Sequence, residues 1–124
     1  MQTVIAISVA GALGAVARYA LAGAVQRASG GAFPVGTLVV NLAGCLLFGL
    51  VWGALEPRIG LAPHLRLAVL TGFLGSFTTF STFAFESASL LQQGQIAATL
   101  LNVGLQTVAG LALVLVGLAV GRAV

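Results

Sequence analysis

The sequence predicts an all-α membrane protein of four transmembrane helices, the third broken near its middle. Three observations carry that expectation: an overwhelmingly apolar composition, four long apolar segments set apart by turn signals, and a run of glycine and hydroxyl residues inside the third segment. Of the 124 residues, 60% are hydrophobic and 6% are charged, where soluble domains carry about 25% charged residues. So little polar surface cannot coat a particle in water, and a mean hydropathy of +1.16 makes lipid the solvent. A spanning helix takes roughly 20 mostly apolar residues, so residues 1–124 hold a single domain and four or five spans at most.

The segments follow in order. The first covers about 3–25 and is interrupted only by Arg18. It lacks a basic start and three further apolar segments follow, so it reads as a retained span and not as a cleaved leader. Ser29-Gly30-Gly31 and Pro34 mark the first connection, and the second span runs over about 35–55. Glu56-Pro57-Arg58, Gly60 and Pro63 form the next turn. The third span begins near His64, continues to about 91, and is closed by Gln92-Gln93-Gly94-Gln95. The fourth covers about 96–120 and ends at Gly121-Arg122.

Inside the third span, residues 72–83 contain two glycines, two serines and three threonines. Glycine loses the most entropy in a helix, and serine and threonine offer the backbone competing hydrogen bonds. A helix break is expected there. Unwound backbone at that depth is tolerated only inside protein or against a wet cavity, and in channels and transporters such breaks aim free carbonyls at ions. The alternative is a continuous helix whose hydroxyls bond back onto their own turn. Glycine pairs at 11 and 14, 49 and 53, and 117 and 121 add smooth helix faces for close packing, within the chain or across a dimer.

The net charge of +3 comes from five scattered arginines and no lysine, whereas nucleic-acid binders gather positive charge on one face. The arginines instead read as headgroup anchors for a protein of the bilayer. With four spans, Arg58, Arg66 and Arg122 fall on one side, and Arg27, with Arg18 in snorkelling reach, on the other. Three against two is a feeble bias, so the chain is expected to insert both ways and pair with an inverted copy of itself. Cys45, the lone cysteine, excludes an intrachain disulfide and reads as a buried space-filling thiol.

Catalysis finds no footing. The chain has one histidine, His64, and two carboxylates, Glu56 and Glu86, with no Cys/His cluster at metal-ligand spacing. No glycine-rich loop precedes a basic residue as a phosphate cradle requires. The polar residues within the spans are mostly neutral: Asn41, Ser76, Thr78, Thr79, Ser81, Thr82, Asn102, Gln106 and Thr107. Neutral amides and hydroxyls can donate to an anion and still release it, as conduction requires. For Asn102 and Thr107 the favoured role is hydrogen bonding between helices. Phe77, Phe80 and Phe83 recur at three-residue steps among the hydroxyls. Such a stripe suits core packing, yet ring edges carry partial positive charge and can line an anion path. Phe48 lies outside that motif.

Three motifs in order then show a resemblance along nearly the whole chain. They are Gly11-x-x-Gly14-Ala15-x-x-Arg18-Tyr19, Gly36-Thr37-x-x-x-Asn41-x-x-Gly44, and Gly72-Phe-x-Gly75-x-x-Thr78-Thr79-Phe80-Ser81-Thr82-Phe83 through Glu86. The sequence resembles the Fluc/CrcB fluoride channel family. The resemblance implies a channel in the cell membrane, of bacterial inner-membrane type, that exports fluoride passively as an antiparallel, dual-topology homodimer. It implies two pathways lined by both subunits, with Phe80 and Phe83 as fluoride-contacting rings, Asn41 as a pore amide, and hydroxyls from Ser81 and Thr82. It also implies a structural Na⁺ at the dimer centre, held by the main-chain carbonyls of Gly75 and Thr78.

One departure stands out. The family often carries two small polar residues one turn apart on the fourth helix, and here Gln106 and Gly110 fall at those places, so the second hydroxyl is missing. The competing functions are a small dual-topology multidrug exporter and a structural subunit. The exporter relies on a glutamate in the first helix, which this chain lacks. Glu86 would have to take that part from about six residues inside the end of the third helix. The structural subunit would make the break and its hydroxyls incidental.

Overall fold

The computed structural model describes residues 1–55 and 62–123. The turn expected at Glu56-Pro57-Arg58 and Gly60, and the contribution of Arg58 to the charge balance, lie outside the described residues. Four helical stretches are long and apolar enough to cross a membrane: Gln2–Ser29, Val35–Leu55, Pro63–Gln92 and Ile96–Ala123. No strand occurs among the described residues.

Helix α1 (Gln2–Ser29) outruns its apolar pattern by one turn and stops at Gly30, whose φ of 62° closes the helix in the left-handed region that glycine occupies freely. The extra turn has a cause in Gln26. Its Nε2 donates to the carbonyls of Gly31 (2.9 Å) and Phe33 (3.1 Å), and its Oε1 accepts from Gly36 N (3.0 Å). One side chain thus staples the connection to α1 and satisfies an orphan N–H at the start of α2 (Val35–Leu55).

The third span is two helices. The first, α3, opens with Pro63 in its first turn, where the missing N–H costs nothing. It runs as α-helix over Pro63–Leu67, widens to π-type turns over Ala68–Leu74, and tightens again over Gly75–Phe77. Thr78 (φ −85°, ψ 161°) and Thr79 (φ −149°, ψ 110°) are extended, and α4 (Phe80–Gln92) starts afresh. The break is narrower than the glycine and hydroxyl run suggests. Gly72 and Gly75 stay helical, and only the two threonines unwind. Gly72 serves packing instead, since a Cβ there would sit 2.9 Å from Ile7 O on α1. A turn at Gly94 (φ 72°) leads to α5 (Ile96–Ala123), which carries its own wide turn over Leu105–Ala109.

Helix α2 lies along the C-terminal half of α5, α1 along α3, and α4 against the N-terminal part of α5. The glycine pairs explain the closest of these contacts. A Cβ on Gly49 would run into Val114 O, one on Gly117 into Leu46 O and one on Gly121 into Leu50 O, while Gly53 faces Leu118 O at 2.7 Å. Backbone meets backbone along this seam, which is how helices gain dispersion contact where lipid supplies no hydrophobic drive. The glycine faces are therefore spent within the chain. Gly14 is likewise closed against Phe73 O of α3. Arg66 lies 4.5 Å over the Trp52 ring, an aromatic and cationic pair at the helix ends that suits the headgroup layer.

Candidate functional site

The break exists because side chains take over the hydrogen bonds that the helix gives up. Thr79 N donates to Asn41 Oδ1 (2.8 Å), and Thr79 O accepts from Asn41 Nδ2 (3.0 Å). The amide of α2 therefore pairs with an unwound peptide as a neighbouring strand would. On the other side of the break, Thr79 Oγ1 accepts from Thr82 N (3.3 Å) and donates to Thr82 Oγ1 (2.9 Å), capping α4. Gly44 lets α2 approach this point, because a Cβ there would strike Thr78 Cγ2.

The same rearrangement strands the end of α3. Thr78 N still bonds Leu74 O (3.1 Å), but the carbonyls of Gly75 and Thr78 accept no hydrogen bond among the described residues. They form the C-terminal, partially negative end of a half-helix. Gly75 is exposed on the outer surface of the chain, and its nearest neighbour for a Cβ is Leu70 O at 3.7 Å. The Thr78 hydroxyl is bonded back to Leu74 O (3.1 Å), so at this position the side chain is used up and the main chain is free. A hard cation takes oxygen ligands, and these carbonyls fit one. No group of three or more His, Cys, Asp or Glu side chains gathers elsewhere among the described residues.

Beside the break lies a cavity of about 300 Å³ lined by Asn41, Gly44, Cys45, Phe48, Thr78, Thr79, Phe80, Phe83, Gln106, Thr107 and Val114. Phe80 and Phe83 meet edge to face, with centroids 5.5 Å apart and planes at 62°. Phe83 is buried, while Phe80 is 78% exposed and stands out from the chain. Phe77, the third ring of the stripe, is on the far side of the break and stacks on Phe73 at 5.9 Å. The unwinding divides a stripe that looks uniform in sequence into one packing ring and two cavity rings.

Gln106, in the wide turn of α5, accepts from Asn41 Nδ2 and donates from Nε2 to Asn102 Oδ1 (3.1 Å). Both amide hydrogens of Asn41 are thereby engaged, by Thr79 O and by Gln106 Oε1. Asn102 is fully buried and donates to Ser87 Oγ on α4 (3.0 Å), the interhelical bond expected of it. Thr107 departs from that expectation. It is exposed, and its hydroxyl bonds back to Val103 O (2.6 Å) on its own helix.

A second hollow of about 350 Å³ touches the other side of Thr79 and is lined by Arg18, Tyr19, Thr37, Val40 and Thr82, with Ala15, Ala22 and Gly23. Ala22, Gly23 and Thr37 also line a hollow of about 460 Å³ that reaches Gln26, Glu86, Ser89 and Gln93. There Thr37 Oγ1 donates to Glu86 Oε1 (2.7 Å). Of the residues expected at the site, the fold brings Asn41, Thr78, Phe80, Phe83 and Gln106 to one cavity. It turns Thr82 toward the other hollow, leaves Ser81 exposed, and sets Gly75 on the outer surface. Cys45 is not a buried filler: it is half-buried and lines the cavity, because Gly110 opposite offers no side chain to cover it. Phe48, outside the motif, reaches the same cavity from α2, two turns from Asn41.

A multi-pass membrane protein with a helix broken halfway along its third span, and a ring-and-amide cavity at the break, is the class these features define. The chain belongs to the family described as CrcB-like protein, Camphor Resistance (CrcB), which it matches over residues 5–118. It is 56% identical over 124 residues, the whole of both chains, to a protein of Nitratidesulfovibrio vulgaris strain Miyazaki F named fluoride-specific ion channel FluC. Relatives of the same name from Maridesulfovibrio salexigens (50% identical, 98% of this chain and 97% of the relative) and Geobacter sulfurreducens (49%, 94% and 91%) are similar along almost their full lengths.

Proposed function

We propose that this chain is a fluoride-selective channel that lets fluoride leave the cell passively and so relieves its toxicity. The observation that carries the reading is the edge-to-face pair of Phe80 and Phe83 beside neutral amides at the helix break. The name shared by the relatives points the same way. Fluoride is small and strongly hydrated, so a path must replace water contacts without binding the ion for long. Ring edges and neutral N–H and O–H donors meet that need, whereas a cluster of lysines would hold the ion. Arg18, on the hollow across Thr79, supplies a positive charge that draws anions toward the break without sitting beside the rings. In this reading Phe80, Phe83 and Gln106 meet the ion and Asn41 forms the wall that keeps the break open. Thr82 and Ser81 offer hydroxyls along the approach.

The working unit is an antiparallel homodimer inserted in both orientations. An exposed Phe80 and an exposed Gly75 at mid-membrane are a natural surface for a second copy. Two copies would bring the free carbonyls of Gly75 and Thr78 together around a structural Na⁺, which offsets the partial negative charge of the paired helix ends. Protein reconstituted in liposomes should release fluoride and retain chloride. Proton-coupled uptake of a lipophilic cation with no fluoride efflux would overturn the reading in favour of an exporter. A C-terminal tag reachable from both sides of the membrane supports dual insertion, and one reachable from a single side refutes it.

A further inference from the structure

Asn102 is fully buried and lies outside the ring cavity, between the apolar Leu101 and Val103. Its hydrogen bonds form part of a line with a single direction. Thr79 N–H can only donate and Thr79 C=O can only accept, which fixes Asn41 with Oδ1 toward the first and Nδ2 toward the second (2.8 and 3.0 Å). Nδ2 then faces Gln106, which must answer with Oε1. Its Nε2 is therefore the end that meets Asn102 Oδ1 (3.1 Å), and Asn102 Nδ2 donates to Ser87 Oγ (3.0 Å). The Ser87 hydroxyl donates to Phe83 O (2.8 Å), which again can only accept. Backbone groups of fixed polarity stand at both ends. No amide between them can flip without setting donor against donor.

One hydrogen is left over. Gln106 Nε2 carries two, Asn102 takes one, and no protein group among the described residues accepts the other. Gln106 lines the ring cavity, whereas both hydrogens of Asn41 are engaged. Building on the fluoride-channel reading above, we infer that Asn102 is a positioning residue: with Ser87 it holds Gln106 so that an amide N–H, and not a carbonyl, serves the ring-lined cavity. A glutamine with three side-chain torsions swings freely unless both ends of its amide are tied. Asn41 ties the oxygen and Asn102 ties the nitrogen. Turned over, Gln106 would offer an anion its oxygen.

The test is fluoride efflux from liposomes, per mole of folded protein, for wild type, Asn102→Leu, Gln106→Leu and the double variant. Asn102→Leu keeps the branched shape of the side chain and removes the amide, and it should slow efflux about tenfold, about 1.4 kcal/mol in the barrier. Gln106→Leu should slow it at least as much, and the double variant should be no slower than Gln106→Leu alone. Independent, multiplying losses would mean that Asn102 acts by some route other than Gln106. Ser87→Ala is the gentler probe should Asn102→Leu not fold. It should slow efflux about threefold in the wild-type background, less than the loss of a whole hydrogen bond, and not at all beside Gln106→Leu. Wild-type liposomes that release no fluoride would remove the channel reading and the positioning role together. A conducting wild type with unimpaired Asn102→Leu and Ser87→Ala variants removes the positioning role alone.

Discussion

Helices α2 and α5 touch along two stretches of opposite character. Towards the end of α2, Gly49 and Gly53 interlock with Gly117 and Gly121, and main chain lies on main chain with no side chain between. Three turns earlier on α2, Asn41 bonds Gln106, which in turn bonds Asn102, and the contact is made of amides at the end of their reach. Neither stretch has a hydrophobic drive, since lipid tails are as apolar as leucine. The first gains cohesion from dispersion at close range, and the second from hydrogen bonds worth about 0.6 kcal/mol each on average. The wide turn at Leu105–Ala109 carries Gln106 of the amide stretch, and the glycine seam lies beyond it on α5. The glycine seam closes backbone to backbone, while the amide stretch leaves about 300 Å³ beside the break for something other than protein. In the proposed channel, stability and permeation thus fall to different turns of the same helix pair.

Substitutions can break this division. Gly49→Val or Gly117→Val should have the largest effect, because the new side chain meets backbone oxygen and the helices must separate. Overpacking costs about 1–3 kcal/mol and sometimes more, so little monodisperse protein should be recovered on size exclusion. A normal yield would mean that the seam is looser than drawn.

Next come the rings. Phe80→Ile and Phe83→Ile should slow fluoride efflux at least tenfold, a loss of about 1.4 kcal/mol in the barrier, with the folded assembly intact, because aliphatic carbon has no positive edge. Phe48 cannot serve as the packing control, since it lines the cavity. Phe73, stacked on Phe77 away from it, can: Phe73→Ile should lower the melting temperature and spare the rate. Normal efflux from both cavity-ring variants would take the rings out of the mechanism.

Gly75→Val separates the chain from its assembly. The position has room within one copy, so helix content should persist while the dimer and its efflux are lost together. Full activity would argue against the proposed cation site. Thr78→Ser, which removes only the methyl that touches Gly44, should cost about 1 kcal/mol or less and leave efflux near wild type. The smallest effect belongs to Thr107→Val. The hydroxyl bonds its own helix at an exposed position, so stability should change by no more than about 0.5 kcal/mol, measured by thermal unfolding.

Much of the site was legible along the chain because local composition betrays local conformation. A threonine pair after two glycines marks the place where a helix yields, and the break falls at Thr78 and Thr79. Asn41 stood out as an amide on an apolar helix, and it closes on Thr79. Other members were hidden. Ser87, Cys45 and Phe48 carry no signal of their own, since a serine, a thiol or a phenylalanine on a membrane helix is ordinary. Only the facing helix gives each of them a role: Asn102 for Ser87, Gly110 for Cys45 and the opened break for Phe48. Gln26 carries no signal in the sequence, because the staple it makes depends on where the next ten residues turn back.

By itself the sequence determined the solvent, the number of spans and the location of the break, because hydropathy and helix propensity act within one segment and need no neighbour. It also showed that most polar groups within the spans are neutral amides and hydroxyls. Only the tertiary structure decided which of three evenly spaced rings packs and which two face the cavity, because unwinding two residues alters the phase of everything that follows. It decided, too, which amide has a hydrogen to spare. Donors and acceptors are allotted in pairs across helices, and a residue's unused valence is fixed only when every partner has taken its place.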